Sequence, residues 1–185
     1  SSIMILLILG LLLWSQAHFF KRLTPARHAA LGERSKGIVA VLVVISVIAM
    51  IFGYRMAAFI PIWTPPEFLI SLNNLMMLAV FFLIGMSATK GRLKGRMRHP
   101  MLLAVKIWAV AHLLVNGDLA SIVLFGGMLA WAVISVVLIN RAEPVYVRPE
   151  PGPASKDIIL VVISVLTFVI AAVIHLALGV VPFPS

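Results

Sequence analysis

The chain has 185 residues, 62% of them hydrophobic and 11% charged, with a formal net charge of +9 and no cysteine. Soluble domains carry about 25% charged residues. The composition, with a mean hydropathy of +1.13, therefore excludes a soluble enzyme and reads as an integral membrane protein. The missing thiols exclude disulfides, thiolate metal ligands, iron–sulfur clusters and cysteine nucleophiles.

Six apolar runs follow one another: residues 2–20, 37–60, 66–88, 100–116, 118–139 and 158–181. Each approaches the roughly 20 residues that a spanning helix needs. Helices are also the form in which separate apolar segments satisfy their backbone inside a bilayer. The expected fold is all-α: a polytopic membrane protein with six transmembrane helices, residues 1–185 forming a single integral membrane domain. The first run lacks a basic leader and an A-x-A-like cleavage site, and a basic stretch follows it. It is expected to be a retained helix and not a signal peptide. Pro61, Pro65 and Pro66 mark the turn after the second run. Asn116-Gly117-Asp118 is a very tight turn that makes a hairpin of runs four and five. Residues 140–157, with Pro144, Pro149, Pro151 and Pro153, form an extended linker before the last run.

Three loops, 21–36, 89–99 and 140–157, hold thirteen of the fifteen Lys and Arg residues; Arg55 stands alone at the other side and Lys106 lies within the fourth run. The positive-inside rule then puts these loops in the cytoplasm and both termini on the periplasmic side of a bacterial inner membrane. The basic residues sit at the ends of apolar runs, so they read as orientation signals and not as a nucleic-acid footprint. The stretch T-K-G-R-L-K-G-R-M-R, residues 89–98, suits anionic lipid head groups.

Ionisable residues inside spans are rare and costly, so each is a site hypothesis. Span one carries Ser15, Gln16 and His18; span three Ser71, Asn73 and Asn74; span four Lys106, His112 and Asn116; span six Ser164, Thr167 and His175. No span is expected to bury an Asp or Glu, which argues against a carboxylate-based pump and a carboxylate-bridged di-metal centre. Trp14 and His18 are four residues apart, as are Trp108 and His112, and Asn116 continues the second stripe. Two helices thus each present an imidazole beside an indole. Two imidazoles from two helices are what haem b needs, one Nε2 on each side of the ring. The competing reading is a hydrogen bond to a neighbouring helix. Lys106 either snorkels toward the cytoplasm or pairs with an anion such as a haem propionate. His99, in R-H-P, is expected at the interface, with a cap or cofactor contact as the alternative. His28 is expected to be solvated, and His175 to make a structural hydrogen bond, with ligation as the alternative. Asn73 and Asn74 suit interhelical hydrogen bonds, and Gly126 with Ala130 makes a small-x-x-x-small packing face.

The segment R-H-P-M-L-L-A-V-K-I-W-A-V-A-H-L-L-V-N-G-D-L-A-S-I-V-L-F-G, residues 98–126, resembles the core of the NnrU family of bacterial membrane proteins. The early His18 before a basic loop, W-T-P-P at 63–66 and I-H-L-A-L-G-V-V-P at 174–182 also fit that family. NnrU proteins are associated with expression of nitrite and nitric oxide reductases in denitrifiers. The family is similar to zeta-carotene isomerase, a membrane haem b enzyme that converts a cis double bond to trans. The resemblance places haem-ligating histidines at His18 and His112; Trp14, Trp108, Lys106, Asn116 and His99 are the residues expected around the cofactor from their places on the spans. The isomerase has a Cys three residues before the later His; here that position is Ala109, so a cysteine-based ligand switch is excluded.

These readings converge on haem b held among spans one, three and four, serving denitrification or acting on a carotenoid- or quinone-like molecule dissolved in the lipid bilayer. The alternative is a non-catalytic accessory subunit of a respiratory or photosynthetic membrane complex, in contact with other membrane subunits. One geometric condition attaches. His18 lies near the cytoplasmic end of its span, whereas His112 is twelve residues past Pro100, about 18 Å along the axis. One iron can reach both only if span four is short and starts deep, or if the helices tilt strongly.

Overall fold

An apolar run in a bilayer must close its backbone hydrogen bonds internally. In the computed structural model, which describes residues 2–182, the runs become helices α1 (Ser2–Leu23), α3 (Arg34–Met56), α4 (Leu69–Ala88), α5 (Pro100–Val115), α6 (Leu119–Ala142) and α7 (Lys156–Ala177). A short helix not expected from the sequence, α2 (Pro25–Leu31), lies in the first basic loop. Among the described residues the only β-type pairing is one isolated bridge between Pro61 and Asp118. Five helices, α1, α3, α4, α6 and α7, are long and apolar enough to cross a membrane. The fourth run differs from expectation: α5 has 16 residues, about 24 Å at 1.5 Å per residue, less than the roughly 30 Å hydrocarbon core.

Local chemistry sets these limits. Pro25 and Pro100 open α2 and α5, where a missing N–H costs nothing. Pro65 and Pro66 delay α4 to Leu69. Asp118 caps α6, its carboxylate accepting from the Ser121 N–H at 3.3 Å.

The tightest helix pair is α1 against α3. A Cβ built on Gly53 would stand 2.7 Å from the Leu7 backbone nitrogen, and one on Gly10 would stand 2.9 Å from that of Met50. The two backbones approach because these positions carry no side chain. Beyond this pair, α5 packs between α4 and α6, α7 packs on α4, and α1 also touches α6. One buried cluster, with Leu7, Met50, Met128 and Trp131, joins α1, α3 and α6. A second, with Val80, Leu83, Met86, Ala104 and Leu160, joins α4, α5 and α7. The outward faces stay apolar: Ile5, Leu9 and Leu12 on α1 and Val161, Val165, Val169 and Val173 on α7 are exposed, as lipid-facing surfaces are. The face expected from Gly126 and Ala130 is not an internal contact. A Cβ on Gly126 would meet open space, and it is Gly127 that packs on Leu11.

The loops fold onto one another at each end. At the basic end, residues 143–155 lie against loop 89–99. The Gly152 N–H donates to the Gly91 carbonyl at 2.8 Å, Arg92 pairs with Asp157 at 2.5 Å, and the Arg98 guanidinium sits 5.3 Å from the Tyr146 ring centroid while donating to the Glu143 carbonyl. At the opposite end, segment 57–68 is stitched to the α5–α6 turn. Ile62 and Trp63 both donate to the Gly117 carbonyl, at 2.9 and 3.2 Å, and Leu119 donates to Ile60 at 2.8 Å. A Cβ on Gly117 would run into the Trp63 carbonyl oxygen. Gly117→Val is therefore expected to open this seam. The measurement is amide hydrogen exchange in detergent. Ile62 and Trp63 should lose protection in the variant while the helix interiors keep theirs.

Candidate functional site

Helices α5 and α7 both lean on α4, yet no Cα of one comes within 8 Å of the other. The gap, lined also by α3 and α6, is a half-open cavity of about 700 Å³ toward the Gly117 end of the bundle. That is within the range of about 300–1,000 Å³ typical of ligand and cofactor sites. Its walls are largely apolar. Met50 comes from α3, Met77 and Phe81 from α4, Trp108 from α5, Met128 from α6 and Phe168 from α7. Aromatic packing fixes the walls: Phe125 of α6 stands 5.0 Å from Trp108 and 6.0 Å from Tyr54, and Phe81 stands 5.5 Å from Phe168.

Two imidazoles face this space, those of His112 and His175. The His112 Nδ1–H donates to the Trp108 carbonyl at 2.8 Å, and the His175 Nδ1–H to the Ala171 carbonyl at 2.6 Å. A carbonyl only accepts, so the proton sits on Nδ1 and the Nε2 lone pair is left free. A backbone bond of this kind fixes the tautomer and orientation of metal-binding histidines. The His112 ring is further held by stacking on Phe125 at 4.7 Å. Asn116 lines the cavity and donates to the His112 carbonyl at 2.8 Å. Asn73 lines it too and donates to Asn74 at 3.2 Å.

Of the residues singled out in the sequence, His112, Trp108 and Asn116 meet at the cavity; His18, Trp14, Lys106 and His99 do not line it. His18 is exposed, with Nδ1–H on the Trp14 carbonyl at 2.8 Å. Its ring lies 4.1 Å from Trp14 and 5.0 Å from Trp131 of α6. His112 contacts the same helix at Phe125. Six residues separate these contacts, about 9 Å along α6 and about 120° around it. Helices α1 and α5 have no Cα pair within 8 Å. The depth difference expected from the sequence persists although α5 is short. The Trp14 and Trp131 indole N–H groups beside His18 are buried without a partner among the described residues. Lys106 stands about 120° around α5 from His112 and is half-buried. The His99 Nε2–H donates to the Asn140 side-chain oxygen at 2.8 Å, tying the start of α5 to the end of α6.

The cavity also gathers residues that the sequence reading left unassigned. Arg55, the one basic residue outside the basic loops and Lys106, lines it from the last turn of α3; its isolation against the charge bias was the available signal. Tyr54 lines it as well and donates to the Ser121 hydroxyl at 2.9 Å, which in turn donates to the Asp118 carboxylate at 2.5 Å. Asp118 is 8% exposed, so a carboxylate is buried at the edge of the bundle, contrary to the expectation that none would be. Among the described residues no group of three or more His, Cys, Asp or Glu side chains is placed to hold a bare metal ion. The donor set is a pair of imidazoles in an apolar, aromatic surround with a cation at its edge. That set suits a large planar cofactor with anionic substituents.

The family model described as NnrU protein matches residues 6–182. No curated protein and no solved structure matches the chain.

Proposed function

The chain belongs to the NnrU family, and from that footing we propose that it is an inner-membrane protein that binds haem b in the α3–α7 cavity with His112 as an iron ligand. The observation that carries this reading is the His112 imidazole, locked through Nδ1 and presenting a free Nε2 to an apolar space of about 700 Å³. When bound, haem iron would supply a redox or electron-donating centre tuned by its axial ligand and by the dryness of the site. The protein's own residues have distinct tasks. Phe125 and the Trp108 carbonyl hold the His112 ring still. Met50, Met77, Met128 and Phe168 exclude water. Arg55 offers a cation to a propionate, a task the sequence reading gave to Lys106. Tyr54 keeps its hydroxyl occupied by Ser121.

The topology proposed with this site has six crossings, both termini periplasmic, with α5 as the short sixth crossing. The gathering of thirteen of the fifteen Lys and Arg residues in loops 21–36, 89–99 and 140–157 supports it. So does the burial of Gly117 and Asp118, because non-helical backbone at membrane depth is tolerated only inside protein. The association of NnrU proteins with nitrite and nitric oxide reductase expression favours a role in denitrification. A carotenoid- or quinone-like molecule fits the apolar walls, but Ala109 in place of Cys removes the isomerase's ligand switch.

The test is the absorption spectrum of protein purified from haem-supplied cells. A Soret band with sharp α and β bands on reduction is expected, at one haem per chain. A colourless, folded protein would remove the haem reading. An accessory subunit would then be the better account, favoured by α7, whose most apolar window is only 6% buried within the chain.

A further inference from the structure

We infer that His175 is the imidazole that pairs with His112 across the cavity, the two Nε2 atoms bracketing one planar metallated ring; this rests on the haem reading above. Both side chains line the same space, and both are locked by Nδ1 to the carbonyl four residues back. Their depths agree, as α4, the helix they share, makes clear. Phe168 of α7 meets Phe81 of α4. Seven residues on, about 10 Å, His175 draws level with Asn74. Ala104 of α5 falls in one buried cluster with Val80, Leu83 and Met86 of α4. Eight residues on, about 12 Å, His112 draws level with residues 72–78, the stretch that includes Asn74. The two histidines thus stand within about one helical turn of the same height. Helices α5 and α7 keep every Cα pair beyond 8 Å. Two iron–nitrogen bonds of about 2 Å and two imidazole side chains require that gap, since they set the Cα atoms roughly 12 Å apart. His18 shares the Nδ1 bond to the carbonyl four residues back but not the place: it does not line the cavity, and it lies about 9 Å away along α6, on another side of that helix, with its ring against Trp14 and Trp131.

The experiment has two arms. In the first, the spin state of the ferric protein is read by absorption and electron paramagnetic resonance. Wild type and His18→Ala should both be six-coordinate and low-spin. His175→Ala should become high-spin, with the low-spin signal restored by added imidazole, which separates a lost ligand from a damaged fold. A His175→Ala protein that stays low-spin while His18→Ala turns high-spin would overturn the pairing and leave haem binding intact. A wild type without haem would instead sink the reading on which the pairing rests.

The second arm needs no haem and uses the absence of native cysteine. A chain carrying His112→Cys and His175→Cys should be bridged within one molecule by a short bis-thiol-reactive linker. A chain carrying His112→Cys and His18→Cys should not. The reverse pattern would overturn the inference whatever the cofactor.

Discussion

His112→Ala protein, expressed with haem in excess, is expected to purify folded and without a Soret band. The imidazole is the side chain on α5 that combines a free Nε2, a fixed tautomer and a place on the cavity wall. Removing a group that merely orients a metal ligand lowers metal affinity about 10–100-fold; removing the ligand itself should exceed that, which in detergent means loss of the cofactor during purification. The fold should survive because His112 is held only by its own helix and by stacking on Phe125. Asn116→Ala supplies the contrast. Its amide bonds the His112 backbone carbonyl and not the imidazole, so it should keep the Soret band and lose at most the modest contribution of one hydrogen bond, about 1 kcal/mol. Equal haem content in His112→Ala and wild type, at matched folded yield, would show that the iron is held elsewhere.

The parts of this architecture that were legible in the sequence are those fixed by local chemistry. Apolar runs between prolines and basic clusters became helices in the expected order. The tight Asn116-Gly117-Asp118 turn joined α5 to α6. Helix α2 escaped because seven residues within a basic loop carry no long apolar period. The site was half legible. Trp14–His18 and Trp108–His112 have the same spacing and the same Nδ1-to-carbonyl bond, so local pattern could not separate them. What separates them is which side of α6 each meets, Trp131 or Phe125. That is a property of packing between helices. His175 was visible as an ionisable residue in a span. That it lines the same cavity as His112 was not visible, because about 60 residues and the placement of α7 on α4 intervene. Asp118 was read as a turn residue, and nothing in its local sequence announces that Ser121 connects it to Tyr54.

The second large effect belongs to the α1–α3 crossing and bears on the site from behind. Gly53→Leu is expected to destabilise the protein by about 3 kcal/mol or more, at the upper end of overpacking costs. The first atom of the new side chain would fall 2.7 Å from the Leu7 backbone nitrogen and 2.8 Å from its Cα. Backbone in the middle of a helix cannot rotate aside as a side chain can, so α1 and α3 must separate. Native stabilities are about 5–15 kcal/mol, so the loss should show as a clear drop in the unfolding midpoint under a denaturing-detergent titration. Gly126→Ala is the control. Its Cβ meets nothing within 4 Å, and replacing glycine inside a helix should be neutral or stabilising by up to about 1 kcal/mol. The two variants should also differ at the cavity. Met50, Tyr54 and Arg55 all reach it from α3, on the turns that flank Gly53. Pushing α3 off α1 moves that wall relative to His112. Gly53→Leu should therefore release haem faster than wild type, while Gly126→Ala should release it at the wild-type rate. A Gly53→Leu protein that unfolds and holds its cofactor like wild type would mean that α1 and α3 do not approach as closely as the glycine spacing requires.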